Sequence, residues 1–142
     1  MKKLVTTIFT SLLLGVLTFG PPAQAQSPER VIKANIPFDF SVGNQVLPAG
    51  SYTLVSTAPV SLDLRDARGR ILVRVLTHSV ETLQVPASPT LEFYSEGGSY
   101  SLAQVWQESH SIGQELPQSK SWAKIAKRHS GRTQTIAASN SQ

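Results

Sequence analysis

The stretch that decides the fold runs from Asn35 to Leu54 and reads NIPFDFSVGNQVLPAGSYTL. Just upstream and through its first half, the even positions Ile32, Ala34, Ile36, Phe38, Phe40 and Val42 are apolar. The odd positions between them include Lys33, Asn35, Asp39 and Ser41. Apolar residues at every second position mark a strand with one buried face. Pro37 cannot donate to a ladder, so this is an edge strand, or two strands split by a bend at Pro37. Gly43-Asn44 turns the chain. Leu47-Pro48-Ala49-Gly50 turns it again, with proline setting φ and glycine closing the turn. Ser51 to Ser56 continues as a strand with Tyr52 and Leu54 on one face. Each residue of the stretch thus has a strand or turn role. The pattern predicts that Ile36, Phe38 and Phe40 pack inward while Asp39 and Ser41 face water.

The same pattern repeats downstream. Val60 to Arg65 alternates Leu62 and Leu64 against Asp63 and Arg65. Asp66-Ala67-Arg68-Gly69 is a hairpin turn, and Arg70 to Val80 returns as one long strand. Glu81 to Pro89, with two prolines, is a loop or irregular edge. Leu91 to Tyr94 and Tyr100 to Glu108 pair around Glu96-Gly97-Gly98-Ser99. About seven strands at short spacing predict an all-β antiparallel sandwich, or alternatively a small barrel. After Pro117 the period changes. Trp122, Ile125, Ala126 and His129 fall on one helical face, and Lys120, Lys124, Lys127 and Arg128 on the other. Ser119 or Ser121 can cap the start and Gly131 the end of this short C-terminal helix.

Four regions follow: a signal peptide at 1–25, a β domain at 26–117, an amphipathic helix at 118–131 and a flexible tail at 132–142. Within the tail, 133–137 could add a short strand. The signal reading rests on Lys2-Lys3, an uncharged apolar run from Leu4 to Phe19, the break at Gly20-Pro21-Pro22, and Ala23-Gln24-Ala25 as the peptidase site. The run is short for a spanning helix, which needs about 20 apolar residues. Cleavage after Ala25 leaves a periplasmic or secreted chain with no stable membrane anchor. There is no cysteine. The domain therefore has no disulfide, thiolate metal site or thiol nucleophile, and it must hold together by its core alone. A chain this size can bury roughly two-thirds of its unfolded surface. Charge is unevenly placed. From Gln26 to Pro117 there are 6 basic and 9 acidic residues, and from Gln118 onward 5 basic and no acidic ones.

Three segments together resemble a known family: IPFDFSVGNQVLPAGSYTL (36–54), LEFYSEGGSYSLAQVW (91–106) and GQELPQSKSWAKIAK (113–127). They are similar to a family of short exported bacterial proteins, met mainly in acidobacterial genomes. That family opens on I/V-P-F-D-F-x-V-G followed by L-P-A-G-x-Y. The resemblance spans about Val31 to Lys127, with Trp122 standing where the family commonly has an acidic residue. It implies export and a β-rich fold, and it lends no catalytic residue.

Candidate chemistry is sparse. Ser121-Trp122-Ala123-Lys124 matches the S-x-x-K of penicillin-recognising enzymes, but the S-D-N and K-T-G elements are absent. No serine sits in G-x-S-x-G, and the three histidines, His78, His110 and His129, form no H-x-x-x-H pair. Asp63 and Asp66 flank Arg65, which predicts solvated ion pairs of little weight. LPAGS and LPQSK lack the apolar tail and basic stop of sortase signals. The strands are too short for an outer-membrane barrel. Tyr94, Tyr100 and Trp106 could form an exposed row that stacks on sugar faces, although aromatics also dominate cores. Here Tyr100 and Trp106 share one strand parity. Lys120, Lys124 and Lys127 could meet anionic envelope lipid or polymer, or stay solvated while Trp122 packs on the β body.

The sequence thus predicts an exported, non-enzymatic β domain of the cell envelope, serving as a structural or protein-interaction module. It predicts no catalytic, cofactor-binding or metal-ligating residue. The expected partner is an envelope protein or polymer, and not nucleic acid. The competing reading is a small carbohydrate- or envelope-polymer-binding module that uses the aromatics and the basic helix; a small hydrolase comes third.

Overall fold

A computed structural model describes residues 29–120, 122 and 132–140 of the 142-residue chain. The expected signal peptide, Lys124, Lys127 and most of the expected helix lie outside the described residues. Among the described residues, twelve strands form two sheets. They are β1 (Arg30–Ile36), β2 (Phe40–Val42), β3 (Gln45–Leu47), β4 (Gly50–Ala58), β5 (Ser61–Arg65), β6 (Ile71–Leu76), β7 (His78–Glu81), β8 (Thr90–Glu96), β9 (Ser99–Trp106), β10 (Ile112–Glu115), β11 (Arg132–Ala137) and β12 (Ser139–Asn140). The first sheet runs β12-β1-β4-β5-β6. The second runs β11-β8-β9-β10-β7, with β2 beside β9 and β3 beside β2. The fold is all-β and sandwich-like, and the described strands close no barrel.

The opening stretch proves to be a corner. β1 ends at Ile36 in the first sheet and β2 begins at Phe40 in the second, so Pro37 marks a change of sheet. Its partner does the same. β3 ends at Leu47 in the second sheet and β4 begins at Gly50 in the first, across Pro48. The two segments form one long hairpin, bent at a proline on each arm and closed by the Gly43-Asn44 turn, where Gly43 has φ +60°. Ile36 and Phe40 are buried and Phe38 is half-buried. Phe38 stacks on Tyr100, with ring centroids 3.8 Å apart, and sits edge-on to Phe93. Asp39 is exposed, as expected, but it is not idle. Its Oδ1 accepts the Ala49 N–H at 2.8 Å and clasps one arm of the bend to the other. The Tyr52 hydroxyl donates to the Pro48 carbonyl, which secures the second arm. Ser41, expected in water, is half-buried and donates to the Tyr100 carbonyl.

The core lies between the sheets. Ile32, Ala34, Ile36, Tyr52, Leu54, Leu62 and Leu64 of the first sheet face Phe40, Leu91, Phe93, Leu102 and Val105 of the second. The expected hairpins are present. Glu96 pairs with Ser99 across Gly97-Gly98, both at positive φ, and Asp66 accepts from the Arg68 and Arg70 amides around Gly69.

Several expectations need correction. The strand expected over 70–80 is two strands, because β6 closes the first sheet and β7 starts on the edge of the second. Asp63 is not solvated. It lies fully buried under Arg74, which holds it through two hydrogen bonds, the Nη2 one at 2.7 Å, while Arg65 approaches at 3.6 Å. Its pKa falls from the ordinary 3.8, chiefly because of the Arg74 hydrogen bonds. Within the segment expected as a flexible tail, 132–142, the short strand allowed for over 133–137 is present as β11 against β8, and β12, which was not expected, pairs with β1. Backbone pairing offers those polar residues a ladder, and Ile136 and Ala138 pack against the core. Of the helix at 118–131, Lys120 and Trp122 are helical, and Ser119 Oγ accepts the Trp122 N–H at 3.4 Å as an N-cap does.

Candidate functional site

The aromatic row does not form. β9 carries one extra residue opposite β8: Glu92 pairs with Gln104, yet Phe93 pairs with Leu102, leaving Ala103 unmatched. Such a bulge reverses the faces of all that follows it. Tyr100 and Leu102 point into the core, whereas Gln104 and Trp106 fall on the outer face, with Val105 inward. Trp106 is only 6% exposed, because its ring lies across Gly113 of β10. Tyr94 is half-buried on the outer face, and its hydroxyl pKa is raised by burial and then by Glu115 and Glu92. Tyr94, Tyr100 and Trp106 are thus divided between two faces, and none offers a free ring platform. Lys120 is exposed at the start of the helical turn.

The outer face of the second sheet carries a cross-strand row, Glu92–Gln104–Glu115–His78. Among the described residues, no group of three His, Asp or Glu side chains is placed to hold a metal. No helix among them is long and apolar enough to cross a membrane.

A cleft of about 560 Å³ opens where the two sheets part at one end of the sandwich. Its position follows from the strand pattern. On β1 and β4 the inward positions run from Ile32 and Leu54 outward to Arg30 and Ser56, which pair across the ladder. On the second sheet the inward row runs Leu91–Val105–Gln114–Ser79. Apolar core therefore grades into polar walls. Gln114 bridges the sheets: its Oε1 accepts from Ser56 Oγ at 2.7 Å, and its Nε2 donates to the Pro59 carbonyl at 3.2 Å and to Thr77 Oγ1 at 3.3 Å.

The remaining wall is the 107–111 loop. It is held by Ser109 N–H to the Pro86 carbonyl and by Thr82 N–H to the Ser111 carbonyl, each at 2.9 Å. Ser109 has φ +58°, a conformation costly for a residue with a side chain. His110 donates from Nδ1 to the Glu108 carbonyl at 2.6 Å, which fixes that nitrogen as protonated. Among the described residues no Asp or Glu lines the cleft, so none of them orients His110 there as a general base.

No protein-family model, curated protein or solved structure matches this chain.

Sequence reasoning missed Arg30, Ser79 and Gln114. The available signal was parity. Arg30 continues the even, inward-facing series of β1, so a charge at its open end belongs to the rim between the sheets.

Proposed function

We propose that this protein is an exported, non-enzymatic β domain of the cell envelope that acts as a protein-interaction module. The observation that carries this reading is the free edge of the first sheet. β6 is the terminal strand and pairs only with β5 among the described residues. Its residues are Ile71-Leu72-Val73-Arg74-Val75-Leu76, and Leu76 is 72% exposed. Proteins normally blunt such an edge with outward charge, proline or a bulge, since its unpaired amides and carbonyls accept another strand. The one charge on β6, Arg74, is committed to Asp63 on the neighbouring strand. Leu72 is an extra residue opposite β5, so the edge is bulged at its start; beyond it Val73-Arg74-Val75-Leu76 is regular and, apart from the engaged Arg74, apolar, and an extended segment of another envelope protein would add to that stretch as a further strand. A second copy of this chain fits less well. β6 has no acidic residue, so self-pairing sets Arg74 only against apolar residues or against another arginine.

The test places a photo-crosslinking residue at Leu76 of the full chain in its own envelope, with Thr53 on the outer face of β4 as control. The expected result is a crosslink from position 76, and not 53, to an extended segment of a different protein. Crosslinks to a second copy, to non-protein material, or equally from both positions would reject the reading.

A further inference from the structure

The cleft at the open end of the sandwich is a second, independent feature. From its lining we propose that it binds a small hydroxylated carboxylate, of the sugar-acid class. The reasoning starts from charge. Among the described residues, Arg30 is the only full charge lining the cleft. The adjacent Glu29, just before β1, is engaged by Arg65 at 3.2 Å. Arg30 therefore has no carboxylate partner among the described residues. A guanidinium presents two parallel N–H groups, and a carboxylate is the planar anion that matches them.

The walls narrow the class further. Ser79, Ser109 and Ser111 provide hydroxyls and Gln107 an amide. These are groups that both donate and accept, as recognition of ligand hydroxyls requires. Val105 and Ile112 add an apolar surface suited to the C–H face of a ring. Among the described residues no Tyr, Trp or Phe lines the cleft, so they give it no platform for a flat aromatic ligand. The absence of Asp and Glu from the lining disfavours a cation. Gln114, by contrast, has both amide hydrogens and its carbonyl engaged within the protein, and acts as the tie that joins the walls. A volume of about 560 Å³ falls within the range of small-molecule sites, roughly 300–1,000 Å³.

The experiment is titration calorimetry of the full mature chain with glucuronate, with glucose and inorganic phosphate as separate probes. Amide shifts are followed by NMR in parallel. Glucuronate is expected to bind, to weaken with added salt, and to move the amides of Ser79, Gln107 and Ser111. Arg30→Gln should weaken it at least tenfold while the melting temperature holds, because Arg30 is exposed. Ser79→Ala should weaken it by a smaller factor and keeps the test alive should Arg30→Gln misfold. The proposal is overturned by no binding of glucuronate, by equal binding of glucose, by binding of phosphate alone, or by unchanged affinity in a folded Arg30→Gln chain. Because none of these variants touches β6, failure here leaves the strand-addition reading to its own crosslinking result.

Discussion

At Gly113 a single hydrogen atom decides whether Trp106 can lie flat on the outer face of the second sheet. A Cβ there would stand 2.7 Å from Cζ3 of the indole, too close for two carbons. Gly113→Ala should therefore cost about 1 to 3 kcal/mol, as overpacking does. Denaturant melts would check it, with a shift in tryptophan emission as the ring is pushed toward water. Asp63 decides another local question. Its folded pKa is lowered, so the ion pair adds stability above the ordinary value of 3.8, and that stability is lost as pH falls through the lower folded value. Acid titration of stability should show Asp63→Asn with a flatter profile below about pH 4 than the parent chain. Arg74→Met should lower the melting temperature more than Arg70→Met. The first strands a fully buried carboxylate, whereas the second frees Asp66, which keeps backbone donors from Arg68 and Arg70.

Among the elements, the bent hairpin of β1 to β4 is the one best suited to dissection. Phe38→Ala should cost about 2 to 3 kcal/mol, somewhat under the ~3–5 for a fully buried aromatic. Asp39→Ala should cost about 1 kcal/mol through loss of its bond to Ala49, and Tyr52→Phe a similar amount. Melts of the two single variants and the double variant would show whether the two fastenings act together. The alternation from Ile32 to Val42 was legible in the sequence, and so was a break at Pro37. That the break carries the chain from one sheet to the other was not, since period two is the same in either sheet. The bulge at Ala103 was hidden for a different reason. An inserted alanine suits either face, so Tyr100 and Trp106 read as neighbours on one side. A strand over 133–137 was legible, but its pairing with β8 and the whole of β12 were obscured by polarity. Thr133, Gln134 and Thr135 gain from backbone pairing, which leaves no hydrophobic signature. The cleft was illegible because Arg30, Ser79, Ser111 and Gln114 come from separate segments and form no motif.

For the molecule as a whole, stability depends on β11 and β12 closing one edge of each sheet. A chain ending at Gly131 would bare the ladder of β8 over Thr90–Ser95 and part of that of β1. Calorimetry should find a lower melting temperature, and light scattering should show association that grows with concentration, since exposed edges template further pairing. An unchanged melt would mean that these strands merely decorate the sheets.

The pairing of Ile32 with Asn140 also bears on how the domain comes into being. These residues stand at opposite ends of the folded sequence, and contacts so distant along the chain slow folding. A ribosome delivers Ile32 long before Asn140. Throughout that interval the outer side of β1 waits without its last neighbour, so the sandwich cannot be finished piecemeal as the chain emerges. In a chain made from its N-terminus, β1 therefore gains its β12 neighbour only after every other described strand has been synthesised.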